Sequence, residues 1–253
     1  MNYDSIGYKM ACVSQVIIRL DFREFIDASV LFGQDTVEDE VLKKFPKKGL
    51  QQLVRFQTMS LTTDQNGAKV EQTAKDGVQQ EYSNIDGNKI TLSNKALFME
   101  IEHYTKFEDI MSMFLPVLKA LLDKQQLTVM RTGIRYVNLF GEEKIKPQKK
   151  FFVPNVGALL ETKFAENGFI RSMAMNEYLV DDMRLNFRYG MYNPQYPQPM
   201  KKVNYVLDYD CFCSDALDGF DVIKSHIQKG HDSIQNKFEN SITDQLRKVM
   251  ENG

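Results

Sequence analysis

The stretch from Phe220 to Met250 constrains the fold more than any other part of this sequence. It carries no proline and is far longer than the three or four turns of an average helix. Phe220, Ile223, Ile227, Ile234, Phe238, Ile242, Leu246 and Val249 recur at steps of three, four and seven. That spacing keeps one apolar stripe on one side of an α-helix. Lys224, Gln228, Asp232, Gln235, Glu239 and Gln245 fall mostly on the other side. The pattern predicts one long helix, with Phe238 in the core, buried against a sheet or a second long helix.

The rest of the chain supplies that sheet. Gln15–Arg23 alternates Val16, Ile18, Leu20 and Phe22 with Ile17, Arg19, Asp21 and Arg23, the period of a strand. A short helix or two through Phe25–Phe45 ends at Pro46 and Gly49. A strand over Leu53–Thr63 leads to three turn signals, Asn66-Gly67, Asp76-Gly77 and Asp86-Gly87, which read as a meander. Its middle members, around Val70 and Val78, are polar and belong at an edge. Ala96–Tyr104 is a strand. Thr105 and Glu108 make a capping box for a helix striped with Phe107, Ile110, Met111, Phe114, Leu118 and Leu121, in which Pro116 introduces a kink. Leu127–Gly141 is a central strand.

The second half repeats this order. A loop containing Lys144, Lys146, Lys149 and Lys150 leads to strands at about Ala158–Glu166, Phe169–Leu179, Met183–Met191 and Val203–Cys213, then to the long helix. Each half reads strand, crossing, meander, strand, helix. The expected fold class is α+β, a broad antiparallel sheet built from two similar halves with helices on one face. Residues 1–253 then form one domain with halves of about 1–125 and 126–253. The alternative is two domains that split near Gln125.

Composition narrows function by exclusion. The formal net charge of −2 gives no electrostatic case for nucleic acid or an anionic membrane. No apolar run approaches the roughly twenty residues that span a bilayer, and Met1–Met10 lacks the pattern of a signal peptide. Cys12, Cys211 and Cys213 are an odd number and read as reduced thiols of a cytoplasmic protein. His226 and His231, five apart, lie about 140° apart on a helix, unlike a zinc pair. They and His103 read as structural or surface residues. No metal, no cofactor and no catalytic set is expected.

Two features could carry chemistry. The acidic pairs Glu100/Glu102 and Asp208/Asp210 project from polar strand faces, where they could hold a cation but are better read as partners of Arg135, Arg184 or Arg188. Arg131-Thr-Gly-Ile-Arg-Tyr-Val-Asn138 is the most distinctive short stretch. Gly133 marks a bulge or close approach, and Arg135, Tyr136 and Asn138 set a charge, a ring and an amide close together. Arg135 is expected to pair with a carboxylate from Glu100–Glu102 or Asp208–Asp210. The candidate binding set is Arg135, Tyr136, Asn138, Arg184, Arg188, Lys146, Lys149 and Lys150.

The Gly133-Ile-Arg-Tyr-Val-Asn138 strand resembles the "GlRYiN" strand of a sporadically distributed, uncharacterised prokaryotic family of about this length. The closing His231–Leu246 segment and the opening Val16–Phe22 strand are similar to that family's ends. The resemblance makes His231 and Phe238 shared scaffold residues and implies no catalytic set. It associates the chain with mobile elements or phage defence, which is not a mechanism. Two functions follow as expectations. The first is a non-catalytic interaction protein whose partner is another protein. The second is a ligand- or nucleic-acid-binding module that uses the polar sheet face and the lysine-rich loop. An enzyme ranks third.

Overall fold

The computed structural model describes residues 7–64, 67–161 and 168–252. β1 (Val13–Phe22) is followed by two short helices, α1 (Ala28–Leu31) and α2 (Val37–Leu42). Then come β2 (Lys47–Lys48), β3 (Gln52–Asp64), β4 (Gly67–Ser83), β5 (Lys89–Ser93), β6 (Ala96–Ile101), α3 (Phe107–Lys124) and β7 (Thr128–Phe140). The second half holds the single turn α4 (Pro154–Gly157), β8 (Ser172–Val180), β9 (Met183–Tyr192), β10 (Asn204–Cys213), β11 (Leu217–Asp218), α5 (Phe220–Glu239) and α6 (Asp244–Asn252).

The strands form one antiparallel sheet with β1 and β7 at its centre. Outward from that pair run β6, β5 and β4 on one side and β10, β9 and β8 on the other. The order therefore mirrors itself about the β1–β7 pair, and each half is a strand, a partly helical crossing, a three-stranded meander and a long helix. β3 pairs with β4 from Gln52 opposite Gln79 to Asp64 opposite Gly67, a ribbon beyond the main order. The helix-facing side chains of β1, Val16, Ile18, Leu20 and Phe22, are buried, as alternation dictates. Ile223, Ile227 and Ile234 of α5 are buried where that helix crosses the sheet at β7 and β10. Gly230 lets the helix approach: a Cβ there would stand 2.7 Å from Ile134 Cγ2 and 3.3 Å from Met183 Cε.

Several local expectations are corrected. The C-terminal stretch is two helices, because the loop after β7 supplies competing partners. Asn240 Nδ2 and Ser241 Oγ donate back to the carbonyls of Asn236 and Lys237. Ile242 leaves the helix to bridge Phe152, and the Thr243 hydroxyl donates to Lys150 O at 2.7 Å. Phe238 is only partly buried, and in α6 Met250 is buried while Val249 is 38% exposed, so the stripe shifts by one residue. Asp76-Gly77 is no turn: β4 runs through it opposite Val54 and Arg55. Gly77 stands there for space, since a Cβ would lie 2.5 Å from Asn94 Oδ1 and 2.7 Å from Phe56 Cε2.

Thr105 does not cap α3. Lys106 holds that position without a side-chain bond, and the Thr105 hydroxyl donates to Asp109 Oδ2 at 2.7 Å. α3 runs on through Pro116. Ala158–Glu161 is a tight helical turn, not a strand, following the turn that Pro154 opens. The remainder of that expected strand, residues 162–167, lies outside the described residues, as do Asn66 of the first turn and the side chain of Val70. Val78 is half-buried and stands opposite Leu53 in the β3–β4 ribbon at the end of the strand order, the rim position expected of it. Among the described residues no helix is long and apolar enough to cross a membrane.

Candidate functional site

Successive residues of a strand point to opposite faces, so the distinctive β7 stretch divides between two environments. Arg135 faces away from the helices. Its Nε and an Nη bond both oxygens of Asp208, at 2.7 and 2.8 Å. Asp208 sits opposite Val137 on β7 and opposite Arg188 on β9. Arg188 Nε stands 3.2 Å from the same carboxylate but is aligned with no acceptor. Arg131 lies over the Phe212 ring at 4.8 Å and reaches Asp210 at 3.8 Å. Burial pushes the Asp210 carboxyl up from its ordinary range, partly offset by the nearby arginines. Arg184 pairs with Glu177 at 3.4 Å.

The acidic partner of Arg135 therefore comes from β10, not from the Glu100–Glu102 strand. Glu100 stands opposite Ile17 and Lys89. Each of these four arginines has a carboxylate within 4 Å, Arg135 and Arg188 sharing Asp208, so this face is not the uncompensated cationic surface that a polyanion requires.

The lysines of the candidate set lie elsewhere. Lys149 is paired with Glu161, and Lys150 extends over the Phe151 ring while its carbonyl accepts from Thr243 before α6. Lys146 is exposed. Lys149 and Lys150 thus belong to the loop that breaks the C-terminal helix and do not join the arginines.

Tyr136 and Asn138 point the other way, under the helices, and line a cavity of about 430 Å³. Its floor is β7. One wall is the start of α3 with Tyr104 and Phe107, the second is α5 with His231, Ile234, Gln235 and Phe238, and the third is the segment from Gly7 to Val13. The last wall is pinned at two points. The Tyr8 hydroxyl donates to Glu239 Oε1 at 2.7 Å, and Met10 N–H donates to Met250 O at 2.9 Å.

The groups in this cavity are organised and largely neutralised. The Tyr136 hydroxyl and His231 Nδ1 share a hydrogen bond at 3.0 Å. The imidazole stacks on Phe107 with centroids 3.9 Å apart and planes 2° apart. Tyr104 meets Tyr136 edge to face at 5.6 Å. Burial, then the neighbouring Tyr104 hydroxyl, holds Tyr136 far above the usual phenol range. Asn138 donates to Leu207 O at 3.4 Å. Glu239, 1% exposed, is a buried carboxylate of the kind that needs compensation. Arg247 Nε supplies it at 2.8 Å together with the Tyr8 hydroxyl. Burial pushes the Cys12 thiol up to about 12, so it is protonated and a poor nucleophile. Among the described residues no cluster of three His, Cys, Asp or Glu could hold a metal ion.

The sequence pattern missed this grouping. Phe107 reads as one member of a helix stripe, and Tyr8 and Tyr104 flank regular elements. The available signal was that the two most distinctive stretches, Gly133–Asn138 and His231–Leu246, both contribute to one cavity through Tyr136, Asn138, His231 and Phe238. No protein-family model and no curated protein matches this chain.

Proposed function

We propose that this protein is a non-catalytic module that binds a small ligand in the cavity between α3, α5 and β7. The observation that carries the reading is the convergence of Tyr136, Asn138 and His231 on a concave space of about 430 Å³. That volume falls in the range of roughly 300–1,000 Å³ that small-molecule sites occupy. The mixture also suits binding: aromatic walls with a few fixed polar groups, and a buried carboxylate already occupied by Tyr8 and Arg247. This moves the ligand-binding expectation from the polar sheet face to the helix side. The family resemblance, with its link to mobile elements or phage defence, belongs to the same proposal and supplies no ligand.

A thermal-shift screen of a chemically diverse small-molecule library tests the reading. Hits should compete with one another and vanish in Ala11→Phe, which fills the cavity from a half-buried position on its loop wall. Hits that bind Ala11→Phe as well as the parent protein place the site elsewhere.

A second reading, a surface that holds a partner protein, has separate support. β8 ends the strand order, and Met173, Met175 and Leu179 are exposed on it, at 41%, 63% and 78%. A terminal strand with exposed apolar side chains invites pairing with another chain. Sedimentation across a concentration range, compared with Met175→Lys, separates it from the first reading.

A further inference from the structure

We infer that two copies of this chain pair through β8, strand against strand and antiparallel, about a twofold axis at Asn176. This rests on the second reading above, the partner surface at β8, and names its occupant as a second copy. Three observations point there. The first is an unguarded edge. Sheets blunt their terminal strands with lysine, proline or a bulge, because an open row of N–H and C=O groups recruits another strand. Ser172–Val180 contains no lysine and no proline. It pairs with β9 without a register break, from Ser172 opposite Met191 to Val180 opposite Met183. No described strand lies beyond it. The other end of the order is guarded: Pro46 leads into β2, which lays Lys47 and Lys48 along β4, and β3 covers the rest of that strand.

The second observation is what that edge displays. Val180 and Met183 close a two-residue hairpin as a hydrogen-bonded pair, so the even positions of β8 bond β9 and the odd ones turn their backbone groups outward. The same odd positions carry the exposed side chains Met173, Met175 and Leu179, with Glu177 among them.

The third is charge, and it selects the partner. Glu177 is paired with Arg184, and Asp182 with His226 and Lys229. Arg171 and Asp181, just outside the two ends of β8, are exposed and form no ion pair with another described residue. Arg171 lies over the Tyr196 ring at 4.4 Å. The two charges stand five residues to either side of Asn176. An antiparallel copy turned about Asn176 therefore sets Arg171 of each chain opposite Asp181 of the other, and Met173 opposite Leu179. A twofold interface uses each contact twice, which a lone cation and a lone anion at opposite ends of one strand satisfy. Directly opposed residues share a face, so the helices of both copies stay on one side of a continuous sheet.

Sedimentation velocity over a concentration series, with Arg171→Asp and Asp181→Arg, tests the inference. The parent protein should pass from monomer to dimer as concentration rises. Each variant alone sets like charges against each other twice and should weaken association by at least about tenfold. An equimolar mixture of the two should regain it, because each introduced charge then faces its opposite. Asp181 has φ 54°, a left-handed conformation that arginine adopts less readily, so cross-linking keeps the test available if that variant folds poorly. Asn176→Cys, on the axis, should form a disulfide with its copy under mild oxidation, since Cα atoms about 4.5–5.5 Å apart are within disulfide reach. Ala174→Cys and Tyr178→Cys should not, because two residues off the axis the copies stand more than about 13 Å apart. The native thiols are all buried and give no background. A monomer at every concentration overturns the second copy and leaves β8 to a different protein. Cross-linking through Ala174→Cys or Tyr178→Cys in place of Asn176→Cys overturns the pairing about Asn176. Association that Met175→Lys leaves intact puts the interface elsewhere, and the β8 reading falls with it.

Discussion

Replacing Arg135 by alanine removes two charge-assisted hydrogen bonds at once, those at 2.7 and 2.8 Å to Asp208. The carboxylate left behind has a side chain only 9% exposed, so water replaces little of what is lost. Stripping one partner from a fully buried pair costs about 3–5 kcal/mol. Two features reduce that figure here. The Arg135 side chain is 35% exposed, so solvent already screens part of the interaction. Arg188 also remains, 3.2 Å from the same carboxylate, and can turn to bond it. The expected destabilisation is therefore about 2 kcal/mol, between the exposed and buried limits. In a chain of this size that lowers the melting temperature by about 4–8 °C. Urea denaturation of the parent, Arg135→Ala, Arg135→Lys and the Arg135→Ala/Arg188→Ala double variant measures it. Lysine should restore only part of the loss, because it lacks the planar fork that meets both carboxylate oxygens. The double variant should lose more than the two single variants summed, because each arginine substitutes for the other. An unchanged denaturation midpoint in Arg135→Ala, or full rescue by lysine, refutes the reasoning.

Burial raises the hydroxyls of Tyr8, Tyr82, Tyr205 and Tyr209 well above the ordinary phenol value of 10. The unfolded chain then loses those protons first, so stability is level below about pH 10 and falls above it; absorbance at 295 nm should show a late ionisation step that coincides with unfolding, and smooth titration of every tyrosine without unfolding would contradict this. All three thiols are buried, with Cys12 and Cys211 pushed up to about 12, so Ellman's reagent should label the protein only after denaturation; rapid labelling of the native protein would refute their burial. Gly230→Val should cost about 2–3 kcal/mol in urea denaturation by forcing α5 off Ile134 and Met183, and a neutral result would mean that helix and sheet are not in close contact there. Phe238→Ala should cost about 2 kcal/mol, less than a fully buried phenylalanine, because its ring is only partly covered.

Periodicity made the sheet and its helices readable, because burial of one face imposes period 2 on strands and 3.6 on helices. β1, β6, β7, β9, β10 and α3 stand within a few residues of their expected bounds. The errors arise where a distant partner overrides a local preference. Asp76-Gly77 has the composition of a turn, yet its glycine makes room for Phe56 and Asn94. The break after Glu239 follows from Phe152 and Lys150, about ninety residues earlier, and helical spacing alone cannot reveal it. The pairing of Arg135 with a carboxylate was legible, because an arginine beside acidic strands needs one. The cavity was not, because strand alternation sends Arg135 and Tyr136 to opposite faces and only the fold brings His231 beneath Phe107.

Methyl-labelled methionine NMR tests the central claim most directly, since the chain holds 13 methionines spread over both faces. Met250 lines the cavity, whereas Met173 and Met175 are exposed on β8 and point away from the helices. Addition of the best-binding compound from the library screen should shift the Met250 methyl resonance saturably and leave those of Met173 and Met175 in place. A shift of Met173 and Met175 with Met250 unmoved would put the binding surface on the open sheet and contradict the account.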